Sequence, residues 1–192
     1  VYVSISPALS YRVNEKLSVG AALNVTYNYS ESTTRINNDE LDPGTPDGKF
    51  EFNAGSFGFS GTISMLYEFT DKTRVGLVYA GESEADLEDD MHFKNLGPNT
   101  ANLLETAGVK DSKLEVTNIM PQRVQAGVYH EMEGGNYFTF DSVWVDFSEF
   151  GTGEVSLDGD KVGAPDGIYD DIWLFTAGYG FPVDAKMTYK VG

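Results

Sequence analysis

Few residues in this 192-residue chain have the types and spacing that covalent chemistry needs. His92 and His130 are the only histidines. Neither stands in a readable Ser-His-Asp arrangement, and such triads are defined by geometry rather than by order along the chain. Asp158-Gly-Asp-Lys-Val-Gly opens like a calcium loop. Val162, however, stands where a third oxygen ligand is needed, and no glutamate closes the loop. The chain has no cysteine, so a thiolate metal site is ruled out, while an oxidising compartment is neither required nor excluded. The expectation is a protein that is not an enzyme and that holds no metal and no cofactor.

What the residues do offer is contact chemistry. Leu66, Val78, Val143, Val145, Phe147, Ile172 and Leu174 are apolar at positions where the surrounding pattern otherwise places Ser, Thr, Gly or Asn. Such a patch suits an alkyl chain, because each buried CH₂ contributes about 0.8 kcal/mol. It equally suits packing beneath a plug or under loops. Arg12, Arg74 and Lys190 fall on the same face and could meet a carboxylate or form salt bridges with the chain's own acids. Met91, Phe93, Leu96, Leu103 and Leu104 lie in one long connection, where they form either a capture surface or the packing of that loop onto its support.

The elements that must position these residues are strands. In 17–30 every odd position is apolar (Leu17, Val19, Ala21, Leu23, Val25, Tyr27, Tyr29) and every even one is small or polar. Successive side chains of a strand point to opposite faces, so this segment has one greasy and one hydrophilic face. Its length exceeds an ordinary soluble strand and reaches the roughly 9–11 residues of a tilted bilayer-crossing strand. The same alternation marks 1–13, 49–69, 74–83, 113–132, 137–150, 171–181 and 186–192. Phe50 and Phe52 fall on the opposite parity, which predicts a β-bulge near Asn53-Ala54-Gly55. Pro121 interrupts 113–132, as is tolerated at an edge or a bulge. A short helix is expected around Thr100–Ala107. The eight strands are joined by connections that alternate short and long. The short ones fall at 14–16, 70–73, 133–136 and Asp184-Ala185. The long ones run through 42–48, 84–112 and 157–169. Membrane barrels have this asymmetry. The predicted fold class is all-β, an antiparallel transmembrane β-barrel.

Composition agrees. There are 21 glycines and 13% aromatics, suited to many tight turns. No run approaches 18 apolar residues, so a transmembrane helix is excluded. The formal charge of −17 disfavours nucleic acid as a partner. The acids cluster between strands, at Asp39–Asp42, Glu82–Asp90 and Asp158–Asp171.

Several segments carry a family likeness. Residues 6–20 (SPALSYRVNEKLSVG) resemble a strand–turn–strand unit of the FadL family, the outer-membrane long-chain fatty acid transporters, and 57–79 resemble the next hairpin. Leu114 to Gln122, ending Met-Pro-Gln, is similar to the strand after the family's large loop. Asp146-Phe-Ser-Glu-Phe resembles its Trp-Ser-x-Phe element, with Phe147 in place of Trp. Thr188-Tyr-Lys-Val-Gly is similar to a strand in which a basic residue precedes x-Gly. The resemblance implies a 14-stranded barrel, monomeric in the outer membrane of a Gram-negative bacterium, in contact with membrane lipid and lipopolysaccharide. It implies an N-terminal hatch, capture of a long-chain fatty acid or other hydrophobic small molecule by extracellular loops, passage through the lumen and lateral escape at a strand kink. On this likeness the chain is one internal piece of a single barrel domain, about eight strands long, without the hatch or the terminal strands. Relatives can carry basic residues near the position of Tyr27–Ser30, where this sequence has none, which leaves room for a neutral hydrocarbon. The alternative is a barrel that does not transport, structural or adhesive, whose loops bind a partner.

Overall fold

Alternation of this length can bury only one face of each strand, and the chain resolves it by pairing the strands side by side in one long sheet. The structure, a computed structural model, describes residues 1–150, 153–163, 169–183 and 187–192. In chain order the strands are β1 (Tyr2–Ile5), β2 (Ala8–Arg12), β3 (Leu17–Ile36), β4 (Gly48–Thr70), β5 (Thr73–Ala80), β6 (Ser83–Asp90), β7 (His92–Lys94), β8 (Lys113–Met120), β9 (Arg123–Glu131), β10 (Tyr137–Val145), β11 (Val155–Leu157), β12 (Asp160–Gly163), β13 (Ile172–Pro182) and β14 (Thr188–Val191). One α-helix, α1 (Pro98–Thr106), lies between β7 and β8. The main sheet runs β1-β3-β4-β5-β9-β10-β13-β14, with β2 beside β3 and β7 beside β4, and every pairing is antiparallel.

β1 and β2 are one crossing of the wall. Pro7 has no N–H to donate, yet Ile5 still faces Val25 and Ala8 still faces Ala22, so the break does not shift the register. With that pair counted once, the wall has eight strands, as the alternation predicts.

Register sorts the side chains into rows. One row reads Ala21, Ile63, Tyr79, Val124, Trp144, Trp173, and the next Val19, Met65, Leu77, Ala126, Ser142, Phe175. A third reads Leu17, Tyr67, Val75, Val128, Phe140, Ala177. These rows form an apolar outer face on which no described residue packs as a covering layer; Phe57, Phe59, Ile63, Trp173 and Phe175 are all more than half exposed.

The opposite face is partly covered. β6, β8, β11 and β12 form a second, four-stranded sheet in the order β12-β11-β8-β6. Its side chains bury a small core against upper β4, where Phe52, Ala54 and Leu87 are enclosed with Phe50, Leu114 and Val116 around them. The two sheets approach closely at Gly58. A Cβ there would stand 2.9 Å from the Glu84 carbonyl oxygen.

Four sequence expectations change. No bulge occurs at Asn53-Ala54-Gly55, because β4 stays in register with β3 through Glu31↔Asn53 and Tyr29↔Gly55. Phe50 and Phe52 are apolar on the inner face because the second sheet covers them there. Segment 113–132 is two strands in two sheets, parted at Pro121, so Leu114 and Val116 pack on the inner core rather than facing outward. The connection 84–112 is ordered into β6, β7 and α1, beginning just after Gly81, which donates to Gly61 as the chain leaves β5. Finally, β10 ends at Val145. Phe147 is not on a strand but in a 3₁₀ turn, Phe147–Glu149, with its ring 4.8 Å from that of Phe150 and 5.3 Å from that of Tyr169. The turn expected at Asp184-Ala185 lies outside the described residues, as do residues 164–168 of the loop expected over 157–169.

Candidate functional site

The inner face of the wall is where the sequence's binding candidates converge. Even positions of β3 and β4 are mostly small or polar, and the rows that continue them onto β5, β9, β10 and β13 become apolar. One inner row reads Gly20, Ser64, Val78, Gln125, Val143, Leu174. The row above it reads Ala22, Thr62, Ala80, Arg123, Val145, Ile172. Residues directly opposite on antiparallel strands have Cβ atoms about 5 Å apart, so Val143, Val145, Ile172 and Leu174 form one patch, with Val78 on the same face beyond Gln125. Leu66 sits on the row below, with Ser18, Gly76, Gly127, Asp141 and Thr176 as its neighbours. Phe147 is not part of the patch.

The three basic candidates lie elsewhere. Arg12 pairs with Glu68 at 3.3 Å and donates to the carbonyls of Asn14 and Glu15. Arg74 stands in register with Glu68, its guanidinium carbon 4.4 Å from the centre of the Tyr129 ring. Lys190 faces Gly180. All three are at the short-turn end, below the apolar patch. Arg123, on the patch's own row, is a basic residue that the sequence reading passed over. Its parity with Val145 across the β9–β10 hairpin was the available signal. The single long strand assumed over 113–132 drew attention to its even positions instead.

Two concavities open on the inner face. The lower, about 340 Å³, is lined by Ser10, Gly20, Ala22, Thr62, Ser64 and Val78. The upper, about 400 Å³, lies between β1–β3 and the second sheet and is lined by Asn28, Ser30, Leu87, Val116, Asn118 and Ile119 among others. Asn118 donates to Asn28 across it at 3.3 Å. Among the described residues no charged side chain lines either one.

Above the wall the loops are locked together. Asn38 is fully buried and donates to the carbonyls of Pro46 and Asn95 while accepting from the Gly97 N–H. Asp42 caps α1, accepting from the N–H groups of Asn99 and Thr100 and from the Thr100 hydroxyl. Burial alone would raise its carboxyl pKa, but the hydrogen bonds from Thr100 and Asn99 outweigh that and hold it below the ordinary carboxylate value. Of the loop candidates, Phe93 packs its ring at a tilt against that of Phe50, centroids 5.4 Å apart, and Met91, Leu96 and Leu104 are half-buried. Leu103, 56% exposed, is the one turned to solvent.

At the corner between β5 and β6, Glu82 is pushed above the ordinary range by burial and by its neighbours Glu84, Glu149 and Asp146. Asp146 accepts from Gln122 and Ser148, which hold its carboxyl pKa down. No cluster of His, Asp and Glu capable of holding a metal occurs among the described residues. The Asp158-Gly159 pair that begins the calcium-like sequence is a two-residue hairpin turn joining β11 to β12, with positive φ at both residues, the geometry of a type I′ turn. The Asp158 carboxylate there accepts from the Lys113 N–H.

Comparison with known proteins agrees with this architecture. Residues 2–192 match the family model described as outer membrane protein transport protein (OMPP1/FadL/TodX). The fold is similar to that of a Pseudomonas aeruginosa FadL homologue (TM-score 0.80, 14% identity, 96% of this chain and 47% of that one). It is also similar to the Ralstonia pickettii toluene transporter TbuX (0.72, 20%, 98% and 54%) and the Pseudomonas putida toluene transporter TodX (0.70, 16%, 98% and 53%). The chain thus spans about half the length of these structures, and at such identities the likeness is one of fold. No curated protein matches it.

Proposed function

Because this chain belongs to the OMPP1/FadL/TodX family of outer membrane transport proteins, we propose that its eight wall strands form part of a passive channel for hydrophobic compounds. The compartment is the bacterial outer membrane and the fold a transmembrane β-barrel. The observation that carries the channel reading is the inner apolar patch of Val143, Val145, Ile172 and Leu174, with Val78 beyond Gln125, on a face that a water-filled pore would keep polar. An apolar solute leaving water gains along such a surface at each step, and no chemical conversion is needed to move it. The FadL-type solute is a long-chain fatty acid, whereas TbuX and TodX are toluene transporters. Long-chain fatty acids and neutral aromatic hydrocarbons are therefore the two solute classes to test. The exposed Leu103 on α1 is the proposed point of first contact.

The test compares uptake of labelled oleate and labelled toluene by cells with and without the full-length protein. Faster uptake of at least one solute is expected. Val145→Glu should lower it several-fold while the barrel still folds, since a carboxylate in an apolar path is costly to pass. Equal uptake with and without the protein would sink the channel reading. Undiminished uptake through the folded variant would remove Val145 from the path.

A further inference from the structure

We propose that the upper concavity of the inner face is a binding site for an uncharged hydrophobic molecule carrying one hydroxyl group, recognised by Asn28 and Asn118; the inference rests on the channel reading above for its place on a solute's route. The cavity, about 400 Å³, falls within the size range of small-molecule sites. One side is the main sheet and the other the second sheet. Asn28 lies on β3 between Tyr2 of β1 and Ser56 of β4, and is only 7% exposed. Asn118 lies on β8, opposite Ala85 of β6. Leu87, Val116, Ile119 and Val155 supply an apolar lining around the two amides.

The amides face each other in a way that leaves a matched pair of groups unused. Asn118 Nδ2 donates to Asn28 Oδ1 at 3.3 Å, joining the two sheets across 90 residues of chain. That bond takes one N–H and one acceptor. Among the described residues neither Asn28 Nδ2 nor Asn118 Oδ1 has a partner. Neither atom is sealed away, because no enclosed side-chain nitrogen or oxygen among the described residues lacks a bond. Both therefore open to the cavity that the two residues line. Turning both amides end for end leaves the same result, one free donor and one free acceptor. A hydroxyl group is donor and acceptor at once. Its oxygen can accept from Asn28 Nδ2 while its hydrogen is donated to Asn118 Oδ1. A carboxylate only accepts, and would set its charge against Asn118 Oδ1 with no cationic side chain among the described lining residues to offset it. A hydrocarbon would displace water from both amides and bond neither, and a buried polar group left unpaired is costly. The site thus favours a phenol or an alkyl alcohol over both a fatty acid and a plain aromatic hydrocarbon.

The experiment uses the full-length protein in nanodiscs and probes that share one ring: p-cresol, p-xylene, in which a methyl replaces the hydroxyl, and p-toluate, in which a carboxylate does. Binding is measured by equilibrium dialysis of each labelled probe, with the amount taken up by protein-free nanodiscs subtracted. The native protein should hold p-cresol about tenfold more tightly than either analogue, the scale of two neutral hydrogen bonds. Replacing both amides by hydrocarbon of similar shape, Asn28→Leu together with Asn118→Leu, should abolish that preference, with folding verified by heat-modifiable mobility. In the native protein the side-chain amide resonances of Asn28 and Asn118 should shift with p-cresol and stay in place with p-xylene, a reading that needs no variant. Equal binding of p-cresol and p-xylene by the native protein overturns the site. So does a p-cresol preference that survives in the folded double variant, or amide resonances that p-cresol leaves unmoved. If cells producing the protein take up oleate or toluene but the p-cresol preference is absent, the site is refuted and the channel stands. If p-cresol binds as described and no solute is taken up, the site stands and the channel reading fails.

Discussion

At the level of single residues, Asp42 shows how a loop acquires a fixed shape without a core. Its carboxylate satisfies two N–H groups at the start of α1 and one hydroxyl, from a loop 57 and 58 residues earlier in the chain. A helix start leaves its first N–H groups without partners, and α1 has no cap from its own Gly97 side. Because these bonds hold the folded-state pKa below the unfolded value, the carboxylate's contribution is complete above about pH 4 and is lost as pH falls through the folded value. Amide exchange should therefore show the Asn99 and Thr100 protection falling on acidification below about pH 4 in the native protein. In Asp42→Ala the same amides should be poorly protected at every pH. Acid-independent protection in the native protein would show that Asp42 is not what closes the loops. Little of this cap was legible beforehand, since Asp-Pro-Gly reads as a turn and says nothing of a partner so distant. Arg123 is a different case: its parity was readable, but only once Pro121 is understood to end one strand and not merely to bend it.

At the level of elements, β3 was the most legible because both its faces obey the period of two over its membrane-facing length. The departures came where a third layer intrudes. Phe50 and Phe52 broke the alternation, and a bulge is the local explanation for a change of phase. The actual cause is non-local, since β6 crosses the inner face and supplies an apolar partner in Leu87. Ser-Glu-Ala-Asp-Leu-Glu-Asp-Asp does alternate, with Ala85 and Leu87 against acids, so the strand signal was present beneath the charge. The crossing depends on a missing side chain. At Gly58 a Cβ would stand 2.9 Å from backbone of β6, whereas at Gly61 it would meet nothing within 4 Å. Gly58→Val should cost about 1–3 kcal/mol, the usual range for overpacking. Gly61→Ala should change stability by less than about 0.5 kcal/mol. Urea unfolding of the full-length protein in micelles separates the two. Equal midpoints would show that β6 does not sit against β4 as described.

At the level of the whole molecule, the rhythm of short and long connections pointed to a membrane barrel because it puts all the complex loops at one end. The second sheet and the α1 clamp are built from those long connections. The register rows supply the physical test of which face meets lipid. Val75, Val128, Phe140 and Ala177 form one outer row, and Gln125 lies on an inner one. In lipid, a charge on the outer face near mid-membrane must be desolvated, at a cost of about 2–4 kcal/mol for Arg. On the inner face the same charge keeps its water. Phe140→Arg should therefore reduce folding of the full-length protein into lipid vesicles by an amount within that range, beyond the loss of the ring contact with Phe175 at 6.3 Å. Gln125→Arg should fold nearly as well as the native protein, because it exchanges one hydrated polar group for another on a wall facing the lumen. Comparable losses in the two variants would mean that both faces are buried, as in a soluble sandwich. A larger loss for Gln125→Arg would reverse the assignment of the faces, and the apolar patch with it.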